Sequence, residues 1–207
     1  MMIRRSEGRS GRTGGSGLRT KDMAQIALFA AIMVVLGFFP LIELPLVPAP
    51  FTSQTLGVIL AGAILGARRG GLAILLFVVL VVIGLPVLPG GRGGLGVIMG
   101  PTGGFVLAYP VGAFVTGLLT ERLWRRYTHV TALFCNFVGG ALVLYAIGIP
   151  WMAVAAHLSL AKAFTGSVVF LPGDVVKVVI GSLAAVTVRR AYPMIAPGRR
   201  AVRDERA

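Results

Sequence analysis

Cysteine, histidine and acidic residues are all scarce in this chain. A single cysteine, Cys135, in 207 residues excludes an intramolecular disulfide and a thiolate metal cluster. The two histidines, His129 and His157, stand far apart with no second ligand type near either, so both read as interfacial residues rather than metal ligands. Of the seven acids, only Glu43, Glu121 and Asp174 fall between residues 23 and 188. There is no Gly-rich loop ending in Gly-Lys-Ser/Thr, no His-Glu-x-x-His and no Gly-x-Ser-x-Gly. Those absences exclude nucleotide hydrolysis by this chain itself. Charged residues make up 13%, where a soluble domain carries roughly 25%. With 56% hydrophobic residues and a mean hydropathy of +0.88, the chain reads as one membrane domain.

Glycine is plentiful, at 29 residues. Small residues let membrane helices approach closely where lipid offers no hydrophobic drive, so the composition predicts a compact helical bundle. The net charge of +13 would suit a nucleic-acid binder only if it lay on a folded face. Instead it is concentrated in tails. Residues 1–22 carry six basic residues in a Ser/Gly-rich run with no apolar period, which predicts a disordered basic tail. Residues 189–207 carry six more.

Between the tails, apolar runs near 23–39, 53–67, 71–88, 96–120, 131–149 and 167–188 predict an all-α integral membrane protein, a six-helix bundle with both termini on one side. The charges test that topology, because they were not used to draw it. The tails, a turn at 68–70 and a loop at 121–130 hold 17 of the 20 basic residues, which makes their side cytoplasmic. The loop 40–53 holds four prolines among apolar residues, so it is expected to fold back as a lid over the outer end.

Candidate site residues follow from the cost of charge in lipid. In Pro172-Gly173-Asp174-Val175-Val176-Lys177, the i, i+3 spacing puts Asp174 and Lys177 on one helix face, each ionisable group costing about 2.5–3.5 kcal/mol in a span. The pair reads either as a self-neutralising packing contact or as a polar ligand site near the outer face, and the second is favoured. The glycine segment Gly90 to Gly104, Gly103 included, reads evenly as a concave nest of backbone N–H donors or as a hairpin with small-residue packing. Arg92 within it is an interface residue or a partner for a second carboxylate. Phe51, Tyr109, Tyr145 and Trp151 lie near outer ends, where a membrane aromatic belt is the commoner explanation and stacking on a flat ligand the alternative. Ala27 and Ala31 form a small-xxx-small pair suited to packing or to docking a partner helix.

Ala27-Leu-Phe-Ala-Ala31, Pro50-Phe51-Thr52-Ser53-Gln54-Thr55-Leu56, Gly84-Leu-Pro86-Val87, Gly100-Pro-Thr-Gly-Gly104 and the Asp174–Lys177 motif follow one another as they do in the BioY family. The chain resembles these biotin-specific substrate-binding S components of energy-coupling factor transporters over residues 23–188. The resemblance implies biotin capture at a bacterial cytoplasmic membrane. A transmembrane coupling subunit and two ATPases would complete the machine; ATP would be used there, and the chain itself would need no cofactor. By position, Asp174 and Lys177 would contact the ligand, the loop around Gln54 would form part of the lid, and Ala27 and Ala31 would dock the coupling subunit.

Biotin offers two ureido N–H donors, a carbonyl, an apolar thioether ring and a carboxylate tail. Asp174, Lys177, Gln54, Arg92, Tyr145 and the glycine segment are the groups expected to meet it. The arginine-rich amino-terminal extension and Arg92 within the glycine run depart from the family pattern. An S component for another vitamin, or a solitary secondary biotin importer aided by protonation of Asp174, are the alternatives. An intramembrane enzyme is disfavoured because the one candidate acid–base pair has no third group near it in sequence.

Overall fold

The computed structural model describes residues 19–39, 52–191 and 194–195. Residues 40–51 of the expected lid over 40–53 and most of both tails lie outside these residues.

Helix α1, Thr20–Gly37, begins where the Asp22 carboxylate accepts the Arg19 N–H at 3.1 Å, setting negative charge at the positive end of the helix. Its buried face carries Ile26, Phe29, Ala30 and Met33, and its outer face leaves Ala27, Leu28, Ala31 and Val35 exposed, the period of a helix with one side in lipid. Helices α2, Gln54–Leu65, and α3, Ala67–Val82, are joined through Gly66 alone. That residue turns the chain at φ +85°, and the Glu121 carboxylate caps α3 by accepting the Ala67 N–H at 2.8 Å. A Cβ on Gly66 would sit 2.3 Å from that carboxylate oxygen, so the turn requires glycine twice over. The chain therefore reverses at Gly66, whereas the sequence points to a turn at 68–70; Arg68 and Arg69 open α3.

A short α4, Leu95–Met99, precedes α5, Gly103–Arg122. One run was expected over 96–120, but Pro101 interrupts it. Helix α6, His129–Ala155, continues through Pro150 rather than ending at 149. A proline inside a membrane helix is tolerated because neighbouring groups re-satisfy the freed backbone. Within α6, Val138–Leu142 form a π turn, where Gly139 packs so closely on α5 that a Cβ would lie 2.0 Å from the Thr116 hydroxyl. The expected span 167–188 divides into α7, Leu160–Val168, and α8, Leu171–Ala191.

Helices α1, α5, α6 and α8 are long and apolar enough to cross a membrane. The chain is an all-helical, multi-pass membrane protein. Helices α2 and α3, at 12 and 16 residues, span about 18 and 24 Å. The main core joins α1, α2, α3 and α5 through Met33, Val58, Ile74, Phe77, Val81 and Ala108. Smaller clusters lie between α6 and α7, around Met152 and Ala163, and between α6 and α8, around Cys135 and Val186.

Candidate ligand site

The start of α2, the α3–α4 loop, the first turns of α5, the middle of α6, the α7–α8 turn and the start of α8 converge on one cavity that opens to solvent. Asp174 sits in the first turn of α8, where unpaired N–H groups favour a carboxylate. One helical turn on, the Lys177 Nζ lies 2.9 Å from Asp174 Oδ1 and donates to the Thr52 carbonyl at 2.6 Å. The Tyr145 hydroxyl donates to Asp174 Oδ2 at 2.5 Å. Asp174 and Lys177 are only 8% and 7% exposed, which makes this a buried ion pair held by α6, α8 and the chain entering α2. The charges neutralise each other and also border the cavity.

Gln54 is fully buried. Its Nε2 donates to the carbonyls of Met33, at 3.3 Å, and Val87, at 3.1 Å, tying α1 and the α3–α4 loop to α2. Two carbonyls can only accept, so they fix the orientation of the amide and leave Oε1, which has no hydrogen-bond partner among the described residues, as a buried acceptor. Arg92 is half-buried at the cavity, with its Nε donating to the Pro89 carbonyl at 3.1 Å.

The glycine segment adopts the hairpin. Gly90, Gly91 and Gly94 have positive φ, a bridge pairs Leu88 with Arg92, and the N–H groups turn inward. Those of Gly91 and Arg92 bond the Leu88 carbonyl, that of Gly94 the Val81 carbonyl, and that of Gly103 the Gly100 carbonyl. These bonds take up the N–H groups of Gly91, Gly94 and Gly103 within the chain. Gly103 packs against α4, with its missing Cβ 1.7 Å from the Ile98 carbonyl, and it is the preceding Thr102 that borders the cavity.

Two of the aromatic residues placed near outer ends border the cavity. Tyr109 is buried and lines the cavity, and Tyr145 meets Phe105 edge to face at 6.2 Å and 89°. Trp151 remains exposed, donating to the Gly100 carbonyl at 3.1 Å, and Phe51 lies outside the described residues. Thr52, Thr102, Phe105 and Phe170 also line the cavity without having been singled out. Thr52 and Thr102 carried a signal, as neighbours of Gln54 and Gly103 in the quoted motifs.

Chemically, the walls offer an adjacent acceptor and donor in Asp174 and Lys177, the Gln54 amide, a cation in Arg92, and apolar surface from Leu88, Phe105, Val106 and Leu144. No α1 residue borders the cavity; Ala27 and Ala31 lie on the exposed face of that helix.

The sequence profile of the BioY family matches residues 8–194. The chain is 48% identical over 183 residues to the biotin transporter BioY of Rhizobium etli, covering 86% of this chain and 98% of that one. It is 47% identical over 182 residues to the Rhodobacter capsulatus biotin transporter BioY, covering 84% and 95%. The fold superposes on the crystal structure of the S-component for biotin from an ECF-type ABC transporter with a TM-score of 0.79, at 27% identity over 84% of this chain and 95% of that one.

Proposed function

The chain belongs to the BioY family, and we propose that it captures biotin at the outer face of a bacterial cytoplasmic membrane as the S component of an energy-coupling factor transporter. It is a transport protein and not an enzyme. In this reading α1, α2, α3, α5, α6 and α8 cross the membrane, with residues 23–188 forming the S-component domain between basic cytoplasmic tails. The distribution of 17 of the 20 basic residues supports that orientation. The cavity then opens outward.

The observation that carries the proposal is the buried Asp174–Lys177 pair in the cavity wall. Ureido N–H and carbonyl groups stand side by side, and so do this carboxylate and ammonium. Asp174 therefore accepts an N–H and Lys177 donates to the carbonyl, while the Gln54 Oε1 accepts the second N–H. Arg92, on another element, is left for the tail carboxylate, and the apolar walls take the thioether ring and chain. Tyr145 holds Asp174 in place.

Coupling is assigned to the exposed Ala27 and Ala31 on α1, where small side chains admit the close approach of a partner helix. ATP is hydrolysed by the partner ATPases. The test is uptake of labelled biotin in a biotin-auxotrophic host carrying the full chain with and without coupling subunit and ATPases. Ala27→Trp is expected to leave binding by the purified protein unchanged and to abolish energised uptake. Unchanged energised uptake removes α1 from the coupling role, and equal uptake without the partners favours a solitary importer.

A further inference from the structure

The turn between α5 and α6 is built more firmly than a loop that merely carries charge requires. Trp124–Arg126 form one 3-10 turn, and three carbonyls in and beside it are engaged. Arg189 of α8 donates to the carbonyls of Trp124 and Tyr127, and the Thr131 hydroxyl donates to that of Arg126. Trp124 and Tyr127 stack at 6.2 Å, and the Arg189 guanidinium lies 4.6 Å from the Trp124 ring centre. The Arg189 charge is thus spent on holding the turn.

On this frame Arg122, Arg125 and Arg126 are exposed, and so is Arg190 beside the clamp. The adjoining acid, Glu121, is committed to the Ala67 N–H. Burial pushes the Tyr127 phenol up to about 12, so it adds no negative charge at neutral pH. Directly along α6, Val130, Phe134 and Phe137 are exposed at 74%, 57% and 39%, an apolar stripe at helical spacing leading from the arginines toward the bilayer. Guanidinium groups bind phosphate oxygens in a forked geometry, and an ordered backbone lowers the entropy cost of doing so.

We infer that the α5–α6 turn is a binding site for a phosphate-bearing anionic lipid, its headgroup on Arg122, Arg126 and Arg190 and an acyl chain along Val130, Phe134 and Phe137. The stripe favours a lipid over free phosphate, and the arginines favour an anionic lipid over a zwitterionic one. This site lies at the end of the bundle away from the biotin cavity, so its test does not depend on biotin recognition.

The experiment titrates the purified full-length protein in detergent with phosphatidylglycerol, phosphatidylcholine of the same chain length, and inorganic phosphate, reading bound lipid by native mass spectrometry. Phosphatidylglycerol is expected to be retained over phosphatidylcholine. The double substitution Arg122→Ser with Arg126→Ser should weaken phosphatidylglycerol binding about 30-fold, with an unchanged monodisperse size-exclusion profile as the check on folding. Arg4→Ser with Arg5→Ser, an equal charge loss in the tail, should change it less than about threefold. Val130→Ser with Phe134→Ser should weaken both lipids. Equal retention of the two lipids, equal effects of the two arginine pairs, or displacement by inorganic phosphate at matched concentration would overturn the site. So would a turn variant that keeps its lipid but no longer co-purifies with the coupling subunit, which would give the surface to a protein partner.

Discussion

Lys177 and Arg189 stand twelve residues apart on α8, about 18 Å of helix, and their surroundings divide the bundle into two kinds of end. Lys177 meets the Asp174 carboxylate and the Thr52 carbonyl at the wall of a cavity lined by other polar groups. Arg189 is surrounded by what it holds, two carbonyls and two aromatic rings. At one end charge is buried at an opening, and at the other it closes a turn. A buried ion pair is a weak device for stability, since well-packed apolar residues often do as well. Its retention beside a cavity is better explained by what enters the cavity.

The largest effect that sharpens this contrast is expected at the pair. Lys177→Ala and Asp174→Ala should each weaken biotin binding more than about 100-fold, because each leaves a buried charge without its partner and removes a ligand contact. Size-exclusion chromatography should still give a monodisperse protein; loss of folding instead would make the pair a packing element and erase the contrast.

An intermediate effect is expected for Tyr145→Phe. The hydroxyl holds Asp174 through a hydrogen bond to a charged group, worth about 1.5–3 kcal/mol, so biotin binding should fall about tenfold while the ion pair persists. The smallest effect on binding belongs to the other end. Arg189→Gln should leave the biotin Kd within about twofold but lower the melting temperature by about 3–8 °C, through lost bonds to the Trp124 and Tyr127 carbonyls. A large change in Kd there would show that the two ends are not independent.

How legible each end was in the sequence follows from whether the controlling contacts are local. Asp174 and Lys177 share a helix at i, i+3, so their meeting follows from helix geometry alone. The glycine run was open to two readings because its N–H partners, the Leu88 and Val81 carbonyls, are fixed by how α3 ends rather than by the run itself. Tyr109 was read as a belt residue because the sequence places it near a helix end and cannot say which side of α5 meets lipid. The run near 131–149 stops short of Pro150, whose cost in a helix is set by neighbours that a linear reading does not contain. Arg189 was counted only as tail charge; the clamp it forms on Trp124 and Tyr127, more than sixty residues earlier, is visible only after folding.

The measurement that bears most directly on the account is equilibrium binding of labelled biotin to the purified protein, competed with thiamine, riboflavin and a biotin amide lacking the carboxylate. Saturable binding displaced by biotin alone among the vitamins, and displaced more weakly by the amide because it lacks the charge assigned to Arg92, is the predicted result. Displacement by thiamine or riboflavin as strongly as by biotin, or no saturable binding by a folded sample, would contradict it.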